Sequence, residues 1–160
     1  GSGFDFKGIK VLIVGDLYHS RVARSNFLLL NLLGAKVIAT GPRQLVPQGF
    51  DQMGVEIYDS FDEALSEQPD VVMMLRVQKE RMQADLAFST SDYQSDWSLN
   101  EERLRQLKSE CAIMHPGPMN RGLEISNSAA DDPRSRVLDQ VQNGLAVRMA
   151  VLHHLLGGQS

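Results

Sequence analysis

Three short stretches of this sequence gather side chains able to hold an anion. In the first, Gly15-Asp16-Leu17-Tyr18-His19-Ser20-Arg21, a serine and an arginine stand where an apolar run gives way to a helical pattern. Free backbone N–H groups, the positive end of the helix dipole and a guanidinium would converge there as a seat for a carboxylate or phosphate. A plainer reading stays open, in which Ser20 only caps the helix and Arg21 reaches into solvent. The second stretch is Arg76-Val77-Gln78, followed at once by Lys79-Glu80-Arg81. In extended backbone, positions two apart share a face, so Arg76 and Gln78 can address one ligand while Val77 packs away. An arginine fork suits a carboxylate, and an amide suits a second oxygen or an amine. Taken alone, this cluster would pass for a solvated surface turn. The third is His115-Pro116-Gly117-Pro118-Met119-Asn120-Arg121-Gly122. Its prolines lack N–H groups and stiffen the backbone, leaving carbonyls free to accept from a ligand. His115 invites a general-base reading, but a lone histidine at such a place more often fixes a loop by hydrogen bonding, and we prefer that role.

The elements that must position these stretches follow from periodicity. Val11–Val14, Lys36–Thr40, Val55–Tyr58, Val71–Leu75 and Ala112–Met114 are short apolar runs that read as strands. Between them, helices are expected from Ser20 to Leu33, with Val22, Asn26, Leu29 and Leu33 on one stripe, from Gln48 to Met53, and from Asn100 to Lys108. A further helix opens at Ser60, with Glu63 at capping-box spacing, and runs to Gln68. The Ser- and Asp-rich stretch from Gln83 to Trp97, including Asp85, reads as a long loop. Asp132-Pro133 is expected to cap a last helical region running to Leu156, with a bend at Asn143-Gly144. From Leu145 to Leu156 only Arg148, His153 and His154 are polar, more apolar surface than one stripe can hide.

Five strands joined by helices imply an α/β, Rossmann-like three-layer sandwich around a five-stranded parallel sheet. Ligands in such sheets sit at the carboxyl ends of strands, where all three stretches lie. A dinucleotide fingerprint is lacking: the first turn has one glycine where three are needed, and Ala39-Thr40-Gly41 ends without an acidic residue. There is no P-loop.

The length suits one domain, and 42% hydrophobic with 22% charged residues is ordinary for a globular protein. A net charge of -4 argues against a nucleic-acid partner. Cys111 is the only cysteine, which fits a reducing cytoplasm, and no apolar run is long enough to span a membrane. The histidines have no partners at metal-ligand spacing, so no metal is expected. Gly1-Ser2-Gly3 reads as a remnant of cloning, leaving residues 4–160 as the domain.

The stretches VGDLYHSRVARS (Val14 to Ser25), MMLRVQKERM (Met73 to Met82) and HPGPMNRGLEI (His115 to Ile125) together resemble the aspartate carbamoyltransferase family, in its carboxyl-terminal, aspartate-binding domain. The likeness covers nearly the whole chain after residue 7. It implies that Arg21, Arg76 and Gln78 bind L-aspartate, and that the main-chain carbonyls of Gly117 and Pro118 contact the carbamoyl group and the incoming amine. Similar enzymes move a carbamoyl group from carbamoyl phosphate to L-aspartate, making N-carbamoyl-L-aspartate and phosphate for pyrimidine synthesis, without a cofactor. The family's Ser-Thr-Arg-Thr-Arg phosphate signature is absent, as is the histidine that polarises the carbamoyl carbonyl. The resemblance therefore implies that carbamoyl phosphate is held by an amino-terminal domain outside these residues, that these residues alone hold no complete catalytic set, and that His115 does not fill the missing role. It further implies a homotrimer for the intact protein, with dihydroorotase or a homologue as a candidate partner. Ornithine carbamoyltransferases share the fold, but their Ser-Met-Gly and His-Cys-Leu-Pro motifs are not found, and two arginines suit a dicarboxylate better than a cationic side chain. A non-catalytic assembly or regulatory module on the same fold is the remaining alternative.

Overall fold

The computed structural model describes residues 5–77 and 89–157. Its sheet is built from β1 (Lys10–Val14), β2 (Lys36–Thr40), β3 (Val55–Tyr58), β4 (Val71–Met74) and β5 (Ala112–Met114). All neighbours are parallel, in the order β3-β2-β1-β4-β5. Chain order reverses between β1 and β4, which makes the crevice between their carboxyl ends the switch point of the sheet. Register brings those ends level, with Val14 opposite both Thr40 and Met74, and Met73 opposite Met114.

Alternation along β1 sorts its side chains into two cores. Val11 and Ile13 join Phe27, Val37, Met73 and Leu75 on one face, whereas Leu12 and Val14 join Phe61, Met74, Tyr93 and Ile113 on the other. Helix α1 (Arg21–Leu32) covers the first face. Its inward residues are Ala23 and Phe27, with Phe27 set edge-on to Phe50 at 5.3 Å between ring centroids. The expected stripe is thus displaced by one residue: Leu29 and Leu33 are exposed, because the bulkier phenyl ring takes the inward position. Two 3₁₀ turns, Arg43–Leu45 and Asp51–Met53, connect β2 to β3. A β-carbon at Gly41 would stand 2.2 Å from the Gly15 carbonyl oxygen, so the ends of β1 and β2 meet only because that residue is glycine.

The second face is covered by α2 (Phe61–Ser66), α3 (Thr90–Trp97), α4 (Glu101–Gln106) and α5 (Asn127–Ala130). Ser60 caps α2 by accepting from the Glu63 N–H, as its spacing predicts. Helix α3 corrects the expectation of an irregular loop through Trp97. Ser89 and Asp92 form a reciprocal capping box, and Tyr93 and Trp97, four residues apart, both turn inward. The rest of that expected loop, residues 83–88, lies outside the described residues. Arg103 of α4 is buried over the Phe61 ring, donates to the carbonyls of Ser95 and Ser98, and holds Asp62 through two nitrogens.

The last helix, α6 (Val137–Leu156), departs from expectation at its start. Asp132 does not cap it; its carboxylate is occupied by the Arg134 guanidinium and N–H, and Arg136 takes the cap position without a side-chain bond. Its helical hydrogen bonding continues through Asn143 and Gly144. Only Val137 is buried in its 20 residues. No helix among the described residues is long and apolar enough to cross a membrane.

Candidate functional site

The carboxyl ends of β1, β4 and β5 surround an open basin of about 370 Å³, lined by Asp16, His19, Arg21, Arg76, Pro116 and Gly117 among others. Each arrives by a local rule. Ser20 Oγ accepts from Ala23 N–H at 3.0 Å and starts α1, which leaves Arg21 in the first turn beside the helix N-terminus. The capping reading of Ser20 therefore holds, and Arg21, although exposed, still borders the basin. Arg76 follows the end of β4, exposed, while its neighbour Val77 is buried in the core. Gln78 lies outside the described residues. Gly117 reaches the basin at a positive φ of 65° in the turn after β5. Pro118 follows it through a cis peptide bond and is exposed, outside the basin lining.

The floor beneath the basin is polar and buried. Asp16 accepts from the His19 N–H at 3.0 Å, and its other oxygen lies 3.0 Å from His19 Nδ1. A carboxylate can only accept, so the imidazole presents Nδ1–H to it, and Nε2 has no partner among the described residues. Tyr93 stands close below: a β-carbon on Gly15 would come within 3.1 Å of its hydroxyl. Burial above all, then the charges of Glu124 and Asp16, raises that hydroxyl's pKa above the usual phenol range, and it finds no hydrogen-bond partner among the described residues. His115 is wholly buried. Its Nδ1 accepts from Gly117 N–H at 2.9 Å, and Nε2 lies 3.2 Å from Glu124 Oε1. It fixes the turn, as preferred from sequence, and is sealed from the basin.

The arrangement offers two guanidinium groups, a helix N-terminus and a turn with main-chain acceptors around one small space. Among the described residues no cluster of three metal-ligating side chains occurs. A family model described as aspartate/ornithine carbamoyltransferase, Asp/Orn binding domain, matches residues 7–155. The chain belongs to that family. The aspartate carbamoyltransferase catalytic subunit of Leifsonia xyli subsp. xyli is 52% identical over 156 residues, covering 98% of this chain and 50% of its own. That of Syntrophotalea carbinolica is 47% identical, with 96% and 49% covered. Among solved structures, ornithine carbamoyltransferase from Pyrococcus furiosus superposes with a TM-score of 0.83 at 26% identity, covering 97% of this chain and 52% of that one. Aspartate transcarbamoylase from Trypanosoma cruzi, in complex with carbamoyl phosphate, gives 0.74 at 27% identity, with 92% and 49% covered. The chain spans about half the length of the curated relatives it matches.

This carbamoyltransferase domain also contains residues around the site that sequence reasoning passed over. Asp16 stood in the first stretch without a role, and His19 was weighed only as a metal ligand. Glu124, nine residues beyond His115, carried no signal, because nothing in the spacing shows that the turn folds back upon it. Asn120 stood in the third stretch without a role, yet its side-chain amide donates to the Val77 carbonyl at 3.0 Å.

Proposed function

We propose that this chain is the L-aspartate-binding half of an aspartate carbamoyltransferase that transfers a carbamoyl group from carbamoyl phosphate. The carrying observation is that Arg21, Arg76 and Gly117, from three separate strand ends, line one basin. In this reading Arg21 and Arg76 each take a carboxylate of the amino acid, and Gln78 takes a further oxygen or the amine. The carbonyls of Gly117 and Pro118 accept from the amine and the carbamoyl group. Two guanidinium groups favour a dicarboxylate over ornithine, and the relatives near 50% identity are named aspartate carbamoyltransferases. The amine attacks the carbamoyl carbon, a C–N bond forms, and the bond to phosphate oxygen breaks as the amine gives up a proton. The share of these residues in that reaction is to hold the nucleophile in line. Carbamoyl phosphate itself is held by the other half of the intact protein, and these residues alone do not turn over.

Titration of the chain with L-aspartate, followed by amide chemical shifts, tests the reading. Shifts should cluster around Arg21, Arg76 and Gly117 with a dissociation constant of about 1 mM or weaker. L-ornithine should leave them still. Shifts confined to other parts of the sheet would sink the assignment. In the intact enzyme, Arg76→Ala should raise the aspartate requirement on the order of 100-fold and barely change that for carbamoyl phosphate.

A further inference from the structure

We infer that Glu124 is a positioning residue, which holds the Gly117-Pro118 turn and the Arg76 strand end in one rigid frame without itself touching substrate. The inference deepens the proposed aspartate site and rests on that reading.

The geometry begins with a carboxylate in an unfavourable place. Glu124 is wholly buried between Leu123 and Ile125, and its Oε2 has no hydrogen-bond partner among the described residues. Among the described residues no Lys or Arg side chain bonds to it, and His115, which accepts at Nδ1 from Gly117 N–H, turns Nε2 toward it as a donor. A side chain kept only for stability would be better apolar there. What the carboxylate does is gather donors. Oε1 accepts both His115 Nε2–H, at 3.2 Å, and Asn120 N–H, at 2.5 Å. One oxygen therefore pins both ends of the segment from Pro116 to Met119, the first end through the imidazole and Gly117 N–H.

The same frame reaches the second stretch. Asn120, pinned at its main chain, donates from Nδ2 to the carbonyl of Val77, the residue between Arg76 and Gln78. Gly122 accepts from the Gln94 side chain, which ties the loop to α3 as well. The distance between an arginine that grips the amino acid and the carbonyls that meet its amine is thus set by one buried carboxylate. Errors of a fraction of an ångström in such a distance weaken a site that depends on alignment.

The test compares L-aspartate affinity in the chain and three variants, each at a temperature where its amide spectrum is native. Glu124→Ala removes the shared acceptor and should weaken binding by at least about tenfold, whereas Glu124→Gln keeps an acceptor oxygen and should stay within about threefold. Asn120→Ala cuts only the tie to Val77 and should weaken binding too, which keeps the test decisive if Glu124→Ala fails to fold. Unchanged affinity in Glu124→Ala, or in Asn120→Ala where that variant alone folds, overturns the inference; so does a Gln variant as weak as the Ala variant. If the unaltered chain shows no response to aspartate, the proposed function fails instead. The frame is then read from hydrogen exchange of the Gly117 and Asn120 amides, which should quicken by at least about tenfold relative to β1 in Glu124→Ala, or relative to β4 at Val77 in Asn120→Ala. Unchanged exchange there overturns the inference on its own.

Discussion

The turn after β5 and the helix α6 lie close in sequence, with only the short α5 and its flanking turns between them, yet they are held in opposite ways. The turn is short, rich in proline and glycine, and locked by buried polar groups: His115 and Glu124 have no solvent exposure, and the donors around them converge on shared acceptors. Helix α6 is long and regular, but every large apolar side chain after Val137 is exposed, from Leu138 at 84% to Leu156 at 81%. One region has irregular backbone and dense tertiary bonds; the other has ideal backbone and almost no tertiary bonds. Regular secondary structure is therefore a poor guide to where this molecule is rigid. The local stability of a segment follows the apolar area it buries and the partners of its polar groups.

The largest effect should come from the core between α1 and the sheet. Phe27 is fully buried against Phe50, and Phe27→Ala should cost about 3–5 kcal/mol in unfolding free energy. Leu152→Ala also deletes a branched apolar group, but an exposed one on α6, and should change stability by no more than about 0.5 kcal/mol. Denaturant midpoints at equal slope measure both; comparable losses would show that α6 is packed in solution.

Legibility in the sequence divides along the same line. The five strands, the order of the three stretches and their strand-end placement follow from local apolar runs, which parallel strands buried on both faces must have. Helix α3 escaped notice because Ser89 to Asp96 looks like loop composition, and only the pairing of Ser89 with Asp92 and the spacing of Tyr93 and Trp97 mark it as a helix. Asp132-Pro133 misled for the opposite reason: the residue type suits a cap, but Arg134, with its hold on the Leu104, Leu107 and Lys108 carbonyls, claims the carboxylate first. Glu124 could not be read at all. Its function depends on a turn of nine residues closing on it, and that closure is a property of the folded chain.

Acidification should act more gently, on the ion pair that ties α2 to α4. The Arg103 hydrogen bonds hold the Asp62 pKa below its ordinary value, against a smaller upward push from burial. A carboxylate depressed in the folded state contributes stability that is present above its unfolded pKa, about 3.9, and is lost as pH falls through the lower folded value. Unfolding free energy measured from about pH 6 down to about pH 2 should therefore decline in the acid limb, with a shallower decline in Asp62→Asn. Solvent screens this half-exposed pair, so the change in slope will be modest. A flat limb in the unaltered chain would remove the role given to the Asp62–Arg103 pair.

The smallest effect tests α6 by strengthening it. Gly144 lies inside the helix, and a β-carbon there would meet nothing within 4 Å. Alanine in that position adds no clash and reduces the freedom the unfolded chain must give up, a gain of roughly 0.5–1 kcal/mol for the segment. Because α6 shares so little packing with the sheet, that gain should stay local. Amide exchange from Leu145 to Leu156 should be fast in the unaltered chain and slow about two- to fivefold in Gly144→Ala, while β1 and β4 amides keep their rates. The denaturant midpoint followed at Trp97, in the core under α2 to α5, should scarcely move. If Gly144→Ala instead raised that midpoint by the full amount, α6 and the sheet would unfold as one unit, and the contrast between the locked turn and the unsupported helix would be wrong.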